Sequence, residues 1–306
     1  MLQTVLPIFA LIAIGFAAIK SGYVEPAATR PLGAFVVRIA LPALIFKNIG
    51  GLPFSEAVRP GFVLGYVAAS LAAMALALLT AKLVLRADLS EASMVGLGAA
   101  TSNTGFMGYP IGSLVLGQTL GAQLMAQCMI VEIMLIIPLS MVISDVARGG
   151  GGGRLWKQIF DSIVRNPILI ALAAALIVSG TGLQPPEVVN RVTGMLAAVS
   201  APIALFVIGA TLATLPIQGM FDRLAVISIG KLIVHPLLVL GALSLVPGLD
   251  PVLLSGGVLF AAMPMLTIYT IFGQRAGVEM MTASALVVAT ALSFVTLPVW
   301  MSLILP

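Results

Sequence analysis

Charge is what this sequence has least of. Only 8% of its 306 residues are Asp, Glu, Lys or Arg, whereas a soluble globular domain carries about 25%. A chain so poor in charge cannot cover a water-facing surface. Its single cysteine, Cys128, lies inside an apolar run, which excludes an intrachain disulfide and suggests no cysteine-based metal site. With one histidine, no Walker loop, no HExxH, no GxSxG and no acidic pair at catalytic spacing, most enzyme and metal chemistries lack parts. Neither catalysis, nor a metal, nor a cofactor is expected. The net charge of +4 comes from basic residues scattered between apolar runs, which is not a nucleic-acid footprint.

What the chain does have is hydrocarbon: 60% apolar residues and a mean hydropathy of +1.16. Apolar runs near 20 residues recur from end to end, the signature of an all-α polytopic membrane protein rather than of the ~10-residue alternating segments of a β-barrel. Ten spans can be marked, at about 4–20, 31–47, 61–85, 92–118, 121–147, 160–181, 193–215, 222–246, 251–275 and 278–305. The first run has no basic start and no clean cleavage site, so it reads as a span rather than a signal peptide. The glycine run "RGGGGGR", with Trp156 and Lys157 after it, reads as a flexible cytoplasmic connector over 148–157 between a first five-helix half, 1–147, and a second, 158–306.

Basic residues orient the chain. Loops after the odd-numbered spans carry Lys20, Arg30, Lys82, Arg86, Arg148, Arg154, Lys157, Arg165, Arg223 and Arg275; the opposite side carries Lys47, Arg59 and Arg191. The odd loops are therefore expected in the cytoplasm and both termini outside. Five spans per half is an odd number, so the second half enters the membrane upside down, as in an inverted repeat. Internal similarity agrees. "LPALIF" at 41–46 in span 2 matches "APIALF" at 201–206 in span 7, and aligning Ala99-Ala100 with Ala261-Ala262 puts Asn103 of span 4 opposite Met265 of span 9.

Both fourth spans are interrupted. In "SNTGFMGYP", Gly105 and Gly108 loosen the helix and Pro110 removes an amide donor; in "AAMPMLTIY", Pro264 does the same. Unpaired backbone groups in hydrocarbon cost several kcal/mol each, so broken helices survive only where they face protein or a watered cavity. Two discontinuous helices meeting near mid-membrane point to a transporter site, with Asn103, Thr104, Gly105, Pro110, Pro264, Met265, Thr267 and Tyr269 as candidate substrate-binding residues. The competing reading is close helix packing through small residues.

Four ionisable residues lie inside the runs: Arg38, Glu132, Lys231 and His235. Arg38 is near enough to a span end to snorkel. Lys231 and His235 share a helix face. Glu132 and His235 are candidates for proton or ion coupling, and Lys231 for balancing charge or attracting an anion. A fixed ion pair between spans 5 and 8 is the alternative.

"SNTGFMGYPIG" in span 4, "AAMPMLTIYTIFGQRAG" in span 9 and "LPALIF" in span 2 together resemble the auxin efflux carrier family, in particular its bacterial malonate or malate transporter-like branch. The resemblance covers essentially the whole chain, and its most specific part is Asn103 to Pro110. It implies ten spans in two inverted five-helix repeats with helices 4 and 9 broken and crossing at their prolines. It further implies a scaffold of spans 1, 2, 6 and 7 and a mobile domain of spans 3–5 and 8–10. A homodimer in a bacterial inner membrane is implied too. Many members have an asparagine shortly after the span 9 proline; here Met265, Leu266 and Thr267 follow Pro264. The expected activity is secondary transport, or facilitated passage, of a small organic anion such as malonate, with a proton or sodium ion as the coupling partner. A cation–proton antiporter of the same architecture and a non-transporting receptor remain open.

Overall fold

The computed structural model describes residues 2–53, 58–149, 152–183, 185–215 and 220–305. Among these residues every regular element is a helix and there is no strand. Six helices are long and apolar enough to cross a bilayer: Pro26–Gly50, Pro60–Leu83, Gln118–Ala147, Glu187–Leu212, Phe221–Ser244 and Glu279–Ile304. Leu6–Lys20, Pro167–Thr181 and Pro251–Ala261 are shorter apolar helices. Several starts are set by local chemistry. Asp88 accepts from the Glu91 amide at 2.8 Å and Asp250 from that of Val252 at 2.8 Å, while Asn166 accepts from Ile168 and Leu169. In the last two cases a proline, Pro251 or Pro167, follows the cap at the first helical position, where a missing N–H costs nothing. The stretch expected as a connector lies outside the described residues at 150–151, and from Gly152 the chain is helical to Val164.

Among the described residues four helices contain a widened turn, and all four are placed alike. Val36–Ala40, Thr104–Gly108, Glu132–Ile136 and Gly230–Val234 each end two residues before a proline, namely Pro42, Pro110, Pro138 and Pro236. A proline ring clashes with the carbonyl four residues back and leaves it without a donor, and a local widening relieves both. Where Pro236 cannot serve the carbonyl of Leu232, the indole N–H of Trp300 donates to it at 2.8 Å. Three of these turns hold the membrane-embedded charges Arg38, Glu132 and Lys231.

The chain forms two compact units. One comprises Met1–Pro60, Thr104–Met129 and Ile163–Thr214. Here the helices Leu2–Lys20 and Glu187–Leu212 touch backbone to backbone: a Cβ on Gly15 would collide with the carbonyl of Phe206, and one on Gly209 with that of Ile12. Such glycines let membrane helices approach closely. The widened turn Thr104–Gly108 also packs on Glu187–Leu212, and Leu41 Cδ1 lies 2.9 Å from where a Cβ on Gly105 would stand. That packing draws Thr104–Met129 into this unit, whereas the family resemblance groups all of spans 3–5 together.

The other unit comprises Gly61–Asn103, Ile130–Ser162 and Leu215–Pro306. Its interior is polar in places. Ser90 and Ser144 share a 2.7 Å hydrogen bond, and Ser140 donates to the carbonyl of Ser93 at 2.9 Å, tying the helix Leu89–Ala100 to Ile137–Ala147. Tyr269, fully buried, donates its hydroxyl to the carbonyl of Met94 at 2.7 Å. Gly98 makes room for that ring, since a Cβ there would stand 2.7 Å from the tyrosine oxygen.

Candidate functional site

In the second unit, the helix Leu89–Ala100 ends at Thr101, whose backbone is extended and whose hydroxyl turns back to the carbonyl of Leu97 at 2.8 Å. Residues 101–103 are not helical. Elsewhere in the sequence, the helix Pro251–Ala261 stops before Pro264, and helix resumes only at Tyr269–Ala276. These two unwound stretches are bonded to each other. The amide of Asn103 donates to the carbonyl of Pro264 at 2.7 Å, and the Asn103 side-chain amide donates to Thr267 Oγ1 at 3.0 Å. Helix termini leave backbone groups unserved, and here each stretch serves the other.

The buried charges converge on the same place. Lys231 is 0% exposed, and its ammonium donates to Ser102 Oγ at 2.6 Å, meets His235 Nδ1 at 2.7 Å and donates to the carbonyl of Ala261 at 2.8 Å. An ammonium has three protons and no lone pair, so three acceptors match it. His235 Nδ1 then accepts, its Nε2 carries the proton, and Nε2–H donates to Ser70 Oγ at 3.0 Å. From the opposite direction in sequence, Glu132, 3% exposed, accepts the Ser102 amide at 2.8 Å. Ser102 thus lies between a carboxylate on its backbone and an ammonium on its side chain. The ammonium also caps the last carbonyl of Pro251–Ala261, where the helix dipole is negative. Tyr66 completes the cluster, edge-on to the His235 ring at 5.7 Å between centroids and 3.5 Å from Ser102 Oγ.

The structure therefore brings together Asn103, Pro264 and Thr267 as one group, and Glu132, Lys231 and His235 as a second, joined through neighbouring Ser102. Met265 is fully buried beside them in sequence, and Tyr269 is engaged with Met94. Thr104, Gly105 and Pro110 belong to the first compact unit, where all three are buried. Arg38, outside the cluster, is exposed. Sequence reasoning missed Ser102, Ser70, Tyr66 and the carbonyl of Ala261. Ser102 had a signal, since it is the polar neighbour of Asn103 in the interrupted stretch. Ser70, in "AASLAAM", had none.

Chemically, the cluster is a neutralised charge set buried at the foot of two helix interruptions. It supplies partners to the Ser102 amide and the Ala261 carbonyl, backbone groups that would be costly unpaired in hydrocarbon. Comparison with known proteins fits this architecture. A family model described as "Membrane transport protein" matches residues 1–149 and 154–301. A Rhizobium meliloti (strain 1021) protein named "Putative malonate transporter" is 30% identical over 298 residues, 94% of this chain and 90% of that protein. An "Uncharacterized transporter" of Methanothermobacter thermautotrophicus is 24% identical over 308 residues, 97% of this chain and 96% of its own. The chain therefore belongs to this membrane transport protein family, that of the auxin efflux carriers, and is a multi-pass membrane transporter.

Proposed function

We propose that the protein moves a small organic anion, a dicarboxylate of the malonate type, by alternating access at the two interrupted helices. The observation that carries this reading is the pair of hydrogen bonds from Asn103 to Pro264 and Thr267. They hold two unwound stretches together at positions that correspond between the two sequence halves. In this reading the chain is two inverted five-helix repeats, both termini are extracytoplasmic, and the working form is a homodimer in a bacterial inner membrane. Broken-helix sites of this kind bind anions through the amides of half-helix N-termini. The helix Tyr269–Ala276 has no side-chain cap at its N-terminus. One helix end contributes only ~0.3–1 kcal/mol when exposed, so Asn103 and Thr267 act with those amides on the substrate carboxylates, and Pro264 and Met265 shape the backbone around them.

Lys231 favours an anion over a metal cation as cargo. Its ammonium already uses the hydroxyl and carbonyl oxygens that a metal cation would need. Glu132 and His235 are the groups through which a proton would be coupled. One observation supports a second reading, a cation–proton antiporter: the Glu132 carboxylate reaches the interrupted stretch itself, at the Ser102 amide. The two readings separate in one assay. Purified protein in liposomes is tested with labelled mono- and dicarboxylates and with labelled sodium, under imposed pH, sodium and voltage gradients. Saturable uptake or counterflow of a dicarboxylate is expected. No flux of any carboxylate, with sodium exchanging for protons, overturns the anion reading in favour of the antiporter.

A further inference from the structure

Between the two halves of the sequence lies a helix that belongs to neither kind of environment found elsewhere in the chain. Gly152–Val164 has 13 residues, too few for a span of about 20, and it carries charge along one side. By the 3.6-residue repeat, Ile159, Phe160, Ile163 and Val164 fall on one side, and Lys157, Gln158 and Asp161 on the other, with Arg165 just beyond the end continuing the polar side. Part of the apolar side is open: Phe160 is 65% exposed and Val164 54%, while Ile159 and Ile163 are half-buried. Lys157 and Arg165 are exposed too.

We infer that Gly152–Val164 lies flat in the membrane–water interface, with Phe160 and Val164 in the acyl chains and Lys157 and Arg165 on anionic phospholipid headgroups. Two features choose this occupant. The helix runs, through Asn166, directly into Pro167–Thr181, whose residues up to Ser179 include no polar side chain; an end fixed to such a segment cannot leave the bilayer surface. Its charge also complements an anionic surface, since three basic residues, Arg154, Lys157 and Arg165, face one acidic residue, Asp161. The glycine run thus leads into a surface anchor.

The test is collision accessibility of nitroxide labels in the full chain. Single cysteines replace Gln158, Phe160, Asp161 and Val164 in turn; Cys128 is fully buried and stays, and the parent treated with the same reagent gives the background. Labelled protein is reconstituted in phosphatidylcholine vesicles with or without phosphatidylglycerol. Labels at 160 and 164 are expected to collide several-fold more with oxygen than with a water-soluble nickel chelate, and labels at 158 and 161 the reverse. Phosphatidylglycerol is expected to enlarge the contrast. Nickel access at all four positions would place the helix in water. Screening of 160 and 164 from both reagents would mean that protein, such as a second copy, covers the face. Indifference to phosphatidylglycerol would remove the headgroup contact. Each of these overturns the inference, and none depends on what the protein transports.

Discussion

The amide of Asn103 donates to the carbonyl of Pro264 at 2.7 Å, across 161 positions of sequence. The bond closes the circuit between two stretches of backbone that no regular helix serves. Lys231 reinforces it from one side by donating to both Ser102 Oγ and the carbonyl of Ala261, one at each interruption.

Loss of Lys231 is consequently expected to cost stability. Lys231→Met strips a donor from Ser102 Oγ, His235 Nδ1 and the Ala261 carbonyl together, all buried. Removing one member of a buried charged network costs about 3 kcal/mol. A clear fall in Tm in detergent is expected. Lys231→Arg does not restore it, because a planar fork cannot match three acceptors around one nitrogen. An unchanged Tm in Lys231→Met contradicts this role.

Glu132→Gln tests coupling without dismantling the fold. The side-chain oxygen of glutamine can still accept from the Ser102 amide, so the variant is expected to fold, with a lowered Tm because the buried Lys231 loses its counter-charge. The pH dependence of transport is expected to change, because the titratable group is gone. Parent-like rates across the whole pH range would remove Glu132 from coupling.

Gly209 tests the packing of the first unit. Gly209→Ala places a methyl group into the backbone carbonyl of Ile12, while Gly241→Ala meets nothing within 4 Å. Overpacking of this kind costs about 1–3 kcal/mol. Thermal unfolding of the two variants side by side is expected to show Gly209→Ala lowered and Gly241→Ala close to the parent; equal values contradict the close approach.

Tyr269→Phe separates structure from binding. It removes the 2.7 Å bond to the Met94 carbonyl and leaves the ring in place. Hydrogen bonds within membrane proteins average about 0.6 kcal/mol, so a small loss of Tm with unaltered substrate affinity is expected. A large loss of affinity in a fully folded variant would make Tyr269 a ligand.

Much of this was legible in the residues. The glycines and prolines of the two stretches marked where the helices Leu89–Ala100 and Pro251–Ala261 end, because these residues act locally and leave a mark that survives in sequence. The charge cluster was legible only in part. Glu132, Lys231 and His235 stand out against hydrocarbon, yet their meeting point, Ser102, depends on which faces the helices turn inward. The widened turns were missed although each precedes a proline by two residues, since a proline also fits a simple kink. The helix Gly152–Val164 was hidden by the glycines before it, whose composition signals a loop and masks the alternation of apolar and polar sides that follows.

Asn103 carries the central claim. Substrate affinity of purified Asn103→Ala, measured by equilibrium binding of labelled malonate beside the parent, tests it most directly. Loss of a hydrogen bond to a carboxylate is worth about 1.5–3 kcal/mol, so affinity about tenfold to a hundredfold weaker is expected from a folded variant. A folded Asn103→Ala that binds malonate as tightly as the parent would contradict the assignment of the substrate site to the paired interruptions.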